Sequence, residues 1–331
     1  MIIVEINGGL GNQVLEYALY LFLKEKRKDV KLTNYKMAHL LVKNSPIHER
    51  KLLLETVFTV SPAEYATDKE VLKVADYRRD IFSRVRRRIL RMPKKTLVNL
   101  YVLRFNKMSH IRDQYALIPR IKRKLGFKRK ETNRRVLMMR QLDELMLMKD
   151  AFVVGFYENL DFLKDIEDKV RSELTFKNPL DDRNQAIANQ MANEAEMPVS
   201  IHVRRGDYLK DSFRIILSEK YYVPAMNYFT DRFGSENVHF YCFSDDIPWC
   251  RENLKADKIT FIDWNTGDDS YRDMQLMSLC KHNIIANSTF SSAAAWLNTN
   301  KDKIAICPRR WTTNRPDYDD DVCEGWIPMD N

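Results

Sequence analysis

Glycine and proline are scarce, 9 and 11 in 331 residues, which excludes a collagen-like, linker-rich or many-turned all-β chain. No run approaches roughly 18 uninterrupted apolar residues, so a membrane-spanning helix is not expected. The five cysteines (Cys242, Cys250, Cys280, Cys307, Cys323) are odd in number and include no C-x-x-C. They read as buried reduced thiols, not as a disulfide framework. The six histidines form no H-E-x-x-H and no pair at ligand spacing, so no zinc site is expected. The opening Met1-Ile2-Ile3-Val4-Glu5-Ile6 has no basic region and is too short to be a signal peptide, and a cytoplasmic location is expected.

Apolar material is ample. Hydrophobic residues make up 44% and charged residues 31%, enough for large cores and against disorder. The length fits about two domains. The net charge of +9 conceals an asymmetry. Between Arg78 and Arg135 there are 21 Lys or Arg against 3 acidic residues, a balance of +18, which leaves −9 for the rest. Ile81, Phe82, Val85, Ile89 and Leu90 recur at helical spacing within this block. A basic amphipathic helix of that kind fits an anionic membrane surface, the plain alternative being a solvated face. Aromatics are not interleaved with the arginines as nucleic-acid readout needs, so no nucleic-acid partner is expected.

Hydrophobic periodicity gives a strand at Ile2 to Ile6, a loop at Asn7 to Gly11, a helix from about Asn12 to Lys28 and a strand at Val30 to Thr33. Val14, Ala18, Leu21 and Phe22 share one face of that helix. Gly9-Leu10-Gly11 matches two glycines of the dinucleotide fingerprint, but Val14 stands at the third position. The second strand runs into Asn34 and Tyr35 without an acid, so a nicotinamide or flavin cofactor has little support. From Phe152 onward short apolar strands alternate with helical patterns, which implies a parallel sheet covered on both faces. The strands expected are Phe152 to Val154, Val199 to Val203, Val238 to Phe243, Ile259 to Ile262, Asn283 to Ala286 and Lys303 to Cys307. Two domains follow, 1–150, with the basic insertion at 78–135, and 151–331.

Ligands of such sheets bind beyond the carboxyl ends of the strands, so the residues that leave each strand matter most. His202 ends one strand and is followed by Arg204-Arg205-Gly206-Asp207-Tyr208. Paired arginines there can grip phosphate oxygens with bidentate, charge-assisted bonds. Ser244-Asp245-Asp246 leaves the next strand, with two carboxylates able to accept from a base edge or a sugar hydroxyl. Asn287-Ser288-Thr289-Phe290-Ser291 opens a helix, where backbone N–H groups and small hydroxyls suit a pyrophosphate. Three such exits on one sheet point to a nucleoside-diphosphate site. There is no P-loop, and no D-x-D is expected between strands of the kind that would hold a divalent metal against a pyrophosphate, so arginine would take the place of a metal.

His202-Val203-Arg204-Arg205-Gly206-Asp207-Tyr208 resembles the HxRRGD motif of the α-1,2-fucosyltransferases, glycosyltransferase family 11, of bacterial type. Gly8-Gly9-Leu10-Gly11-Asn12-Gln13 is similar to that family's GGLGNQ opening. Phe243-Ser244-Asp245-Asp246 and the stretch Asp273 to Leu297 resemble its other blocks. The resemblance implies an α/β, GT-B-like fold of two Rossmann-type domains facing a cleft. The N-terminal domain would take the acceptor and the C-terminal one GDP-fucose. It implies metal-independent, inverting transfer to the 2-hydroxyl of a galactose-containing oligosaccharide or lipid-linked surface glycan such as O-antigen. The rival readings are an α-1,6 or protein O-fucosyltransferase, and a non-catalytic sugar-nucleotide or glycan-binding protein. By resemblance the donor residues are Gly9, Gly11, Arg204, Arg205, Ser244, Asp245, Asp273, Asn287, Ser288, Thr289 and Phe290. Arg204 would stabilise the leaving phosphate, His202, Asp207 and Glu16 are the candidate bases, and Asn12 would orient the acceptor. Two positions depart from the family pattern. Ser292-Ala293 replaces paired tryptophans, removing aromatic surface near the donor, and Leu15-Glu16 replaces Phe-Gln, adding a carboxylate beside the glycine loop.

Overall fold

The computed structural model describes residues 1–35, 37, 51–75, 142–143, 145–154, 159–192, 196–313 and 323–331. The basic segment 78–135, with its expected helix, lies outside them. The chain divides into two compact units, residues 1–53 with 60–157, and residues 54–59 with 158–331.

In the first unit β1 (Ile2–Glu5), β2 (Val30–Thr33) and β3 (Ala151–Val153) form a parallel sheet in the order β2-β1-β3. Ile2 pairs with Val30 on one side and Ala151 on the other. Flanked on both sides, β1 is buried throughout, which accounts for the apolar Ile2-Ile3-Val4, and its last residue, Glu5, is buried as well. Because β3 pairs with β1, the division between units falls after Tyr157 and not at residue 150. The helix α1 (Leu10–Lys26) begins two residues before the expected start, since Gly9 takes the extended N-cap conformation. It is not one-sided. Val14, Ala18, Leu21 and Phe22 are buried, but so are Gln13 and Glu16. A second helix, α2 (Asp68–Ala75), completes the labelled elements of this unit.

The second unit opens its labelled helices with α3 (Glu167–Glu173), preceded by a 3-10 turn at Asp161–Ile166, and α4 (Asp182–Met191). There follow β4 (Met197–Val203), α5 (Glu219–Phe233), β5 (Val238–Ser244), α6 (Ile247–Asn253) and β6 (Ile259–Ile262). The chain then runs through α7 (Tyr271–Leu279), β7 (His282–Ile284), α8 (Thr289–Leu297), β8 (Ala305–Pro308) and β9 (Ile327–Met329). All the strand pairs are parallel, and the order is β6-β5-β4-β7-β8-β9. In order of appearance this is 3-2-1-4-5-6, the doubly wound Rossmann arrangement, whose direction reverses between β4 and β7. Two parallel α/β units in one chain are the composition of the GT-B-like class.

Val199, Ile201, Val203, Tyr221, Tyr222, Phe229, Phe240 and Cys242 build the core of this unit. Its two largest polar-tipped members are satisfied at the strand ends. The Tyr222 hydroxyl donates to the His202 carbonyl at 3.2 Å, and that of Tyr221 to the Ile285 carbonyl at 2.7 Å. All five cysteines are buried, as expected. Among the described residues no helix is long and apolar enough to cross a membrane.

Candidate active site

The glycine loop of the first unit is clamped from α1. Both Glu16 carboxylate oxygens accept from Asn7, one from its backbone N–H at 2.7 Å and one from its amide at 2.9 Å. Gln13 donates to the Gly8 and Lys51 carbonyls and accepts from the Leu53 N–H. Gly8 has φ +82°, and a Cβ there would lie 2.2 Å from Asn12 Nδ2. The positive φ favours glycine, and any Cβ there would also require the Asn12 side chain to move. Gly9 is the N-cap of α1 without any side-chain cap, and Gly11 is buried in the first turn. Glu16 is therefore a buried clamp on this loop, which is what its carboxylate does beside the glycines.

In the second unit the reversal point lies where β4 and β7 end. Arg204, leaving β4, pairs with Asp207 at 2.7 Å and with Asp245 at 2.9 Å, and keeps about a third of its side chain exposed (32%). Arg205 turns the other way. Its Nε donates to Asp246 at 3.0 Å, and its guanidinium lies 4.3 Å from the centre of the Trp249 ring, with only 15% exposed. Asp245 also accepts from the Arg205 backbone N–H at 2.8 Å. Asp246 caps α6 by accepting from the Trp249 N–H, and Ser244 Oγ accepts from the Asp246 N–H. The two carboxylates expected to face a base or sugar hydroxyl thus hold the two arginines. Gly206 leaves them room, since a Cβ there would come within 2.7 Å of Asp245 Oδ2.

His202 is buried beside Phe290, ring centres 5.6 Å apart, and its Nδ1 has no partner among the described residues. Burial, reinforced by the Arg204 charge, pushes its pKa down to about 3, so the imidazole stays neutral. Asn287, at the exit of β7, is fully buried and its amide donates to the Ile215 and Trp311 carbonyls at 2.8 and 2.9 Å. Its own carbonyl accepts from the Tyr208 hydroxyl at 3.0 Å. The side chain expected to bind donor instead fastens three segments together. Ser288 caps α8 by accepting from the Phe290 N–H at 3.4 Å, with Thr289 the first helical residue. Ser292 and Ala293 are buried inside α8, so this departure from the family pattern lies in packing and not on an open aromatic face.

Asp273 lies apart from these groups on α7. It accepts from Asn265 Nδ2 at 2.8 Å, and burial raises its pKa to about 7. Asn265 and Asn184 exchange amide hydrogen bonds at 2.9 Å, and Trp264 Nε1 donates to Asn184 at 3.0 Å. Neither asparagine was singled out in the sequence, and no spacing signals them. Strand β9 is not expected from the sequence, and with it Asp317-Tyr318-Asp319, a D-x-D, does fall between two strands, β8 and β9, contrary to expectation. It lies outside the described residues.

An arginine held open at the reversal point of a doubly wound parallel sheet defines a Rossmann-type α/β protein with an anion-ready site. Residues 1–329 match the model of glycosyl transferase family 11, and the chain belongs to that family. It is 34% identical over 188 residues to the alpha-1,2-colitosyltransferase of Escherichia coli, covering 54% of this chain and 62% of that one. It is 43% identical over 118 residues to the O-antigen biosynthesis glycosyltransferase WbnK of Escherichia coli, covering 34% and 38%. It is also 30% identical over 154 residues to galactoside alpha-(1,2)-fucosyltransferase 1 of Lagothrix lagotricha, covering 43% and 42%. The chain thus matches less than two thirds of the length of each of these relatives.

Proposed function

We propose that the chain transfers L-fucose from GDP-β-L-fucose to the 2-hydroxyl of a galactose-terminated glycan, with inversion to an α-1,2 linkage. The observation that carries this reading is family membership over residues 1–329, joined to an open arginine at the sheet's reversal point. Breaking the bond from fucose C1 to the diphosphate oxygen leaves charge on the leaving phosphate and an oxocarbenium-like sugar. Arg204, fixed by Asp207 and Asp245, suits that developing charge. The first-turn N–H groups of α8 would add their partial positive charge. Arginine then serves where other transferases use a divalent cation, and no metal is needed.

Among the candidate bases, His202 and Glu16 are both buried, and Glu16 is also held by Asn7. Asp207 is about half exposed (49%) and is the group we assign to receive the acceptor proton. A weak base suffices when departure of the leaving group runs ahead of attack. The relatives favour the α-1,2 linkage over α-1,6 transfer. One of them is named for colitosyl transfer, which makes GDP-colitose the second donor to test. The basic segment 78–135 supports a peripheral contact with anionic lipid, which suits a lipid-linked acceptor.

The test is incubation with GDP-fucose or GDP-colitose and a panel of galactosides, followed by linkage analysis, with and without EDTA. Transfer to O2 that persists in EDTA is expected. Attachment at another oxygen, or no transfer from either donor, overturns the reading. Loss in EDTA restored by Mn²⁺ removes the arginine-for-metal assignment and turns attention to Asp317-Tyr318-Asp319.

A further inference from the structure

The loop between β4 and α5 carries a third arginine that belongs to none of the sequence motifs. The Arg214 guanidinium lies 5.3 Å from the centre of the Tyr208 ring and 5.9 Å from that of Phe213. Arg204 lies 5.8 Å from the same Tyr208 ring, so the two guanidinium carbons are at most about 11 Å apart. Among the described residues Arg214 has no ion pair and donates no side-chain hydrogen bond. Asp211, the nearest acid in sequence, accepts from the Phe213 N–H at 2.9 Å instead. The backbone beneath Arg214 is fixed. It bridges to Thr312, the next carbonyl accepts from Asn287, and the previous one accepts from the Thr313 N–H at 3.0 Å. Two guanidiniums thus lie near one phenol ring, one of them without a counter-charge among the described residues, an arrangement that suits an anion.

We infer that Arg214 is a diphosphate-binding residue, which together with Arg204 holds the two phosphates of the donor; Arg205, committed to Asp246 and Trp249, does not. The inference rests on the nucleoside-diphosphate reading of the site and names the residue that completes it. Arg214 would present a planar fork to phosphate oxygens from its place beside the Tyr208 and Phe213 rings.

The experiment compares binding of GDP, guanosine and inorganic pyrophosphate to wild type and to Arg214→Ala, Arg214→Met and Arg214→Lys, with a thermal melt beside each. Arg214→Ala should weaken GDP about 10- to 100-fold, the range for a lost bond to a charged group. Guanosine affinity should stay as in wild type, and Arg214→Lys should recover part of the loss. Arg214→Met keeps an unbranched apolar side chain without the charge, so it should show the same loss of GDP affinity with a melt close to that of wild type. Unchanged GDP affinity overturns the inference, and so does an equal weakening of GDP and guanosine. If wild type ignores GDP but binds pyrophosphate through Arg214, the anion site stands and the GDP-donor reading falls.

Discussion

Arg204→Ala and Arg205→Ala remove neighbouring guanidiniums whose surroundings differ, and rate and stability should divide between them. Arg204 is a third exposed, and of its two partners Asp207 is half open to water and Asp245 a quarter. Such pairs contribute about 0–1 kcal/mol to folding. At about 2–4 °C per kcal/mol for a unit of this size, its melt should move by a few degrees at most. Its effect on rate should be large. One preorganised donor to a developing anion is worth about 2.7–4 kcal/mol, on the order of 10²- to 10³-fold in kcat. Arg204→Lys keeps the charge, loses the fork, and should recover only part. Arg205→Ala leaves the Asp246 carboxylate with its helix-cap bond but without its cation, and uncovers Trp249. Loss of that half-buried bond costs about 1–3 kcal/mol, enough to lower the melt by several degrees, with a smaller fall in kcat. Initial rates of transfer at saturating donor, with a melt for each variant, read both quantities. If Arg204→Ala retains more than about a tenth of wild-type kcat while Arg205→Ala is inactive and melts normally, the two roles are reversed.

Gly8→Ala should lower the melting temperature and abolish much of the activity. The left-handed backbone alone costs about 1–2 kcal/mol for a residue with a Cβ, and Asn12 must also move; an unchanged melt refutes the close-approach argument. Stability should fall as pH drops below about 6.5, because His202 and His282 are depressed to about 3 and about 4 and the unfolded chain takes up their protons first. The His282 Nδ1 accepts from the Ile304 N–H, so protonation there also breaks a bond. Asp273, raised to about 7, acts in the opposite sense, since the native state holds its proton above the unfolded value. Asp273→Asn should therefore steepen the loss of stability between pH 6 and 4.5 by at most about 1.4 kcal/mol per pH unit, and an identical slope in melts across that range refutes the assignment. The chain should cosediment with anionic vesicles more than with neutral ones at low salt, each basic residue of 78–135 adding about 1 kcal/mol at best; equal sedimentation leaves the segment a solvated face.

Strands were legible in this sequence because a parallel strand covered on both faces must be apolar along its length. Ile2-Ile3-Val4 shows this directly, whereas Val199 to Val203 carries Ser200 and His202 between its apolar residues, both buried. Helix α1 was harder to read. Its expected apolar face was correct, but Gln13 and Glu16 are buried on other sides because backbone groups of loop 7–9 and residues 51–53 satisfy them. A pattern of polar and apolar residues cannot distinguish a solvated glutamate from one that meets a buried N–H. Helix α6 and strand β9 were missed for a simpler reason. Seven residues beginning Ile-Pro-Trp and three reading Ile-Pro-Met are too short, and too broken by proline, to show a period.

The candidate site was legible by residue type and not by partner. Strand exits can be listed from sequence, but the strand order decides which exits meet, and the reversal between β4 and β7 is a property of the sheet. That order brings the Arg204 loop beside the Asn287 loop, although 79 residues separate Tyr208 from the carbonyl its hydroxyl reaches. The same distance in sequence hid the work of Asn287, whose two acceptors lie 72 and 24 residues away. An asparagine before a helix has the sequence signature of a cap whether it caps, binds a ligand or ties loops together. Arg214 shows the converse. It sits in no motif, yet a loop pinned by Asn287 and Thr313 holds it beside the ring that Arg204 also flanks. What sequence spacing supplies here is a list of charged and polar groups at one sheet edge; the division of the arginines into anchor and ligand-facing groups follows from how far the fold leaves each exposed, 15% for Arg205 against 32% for Arg204.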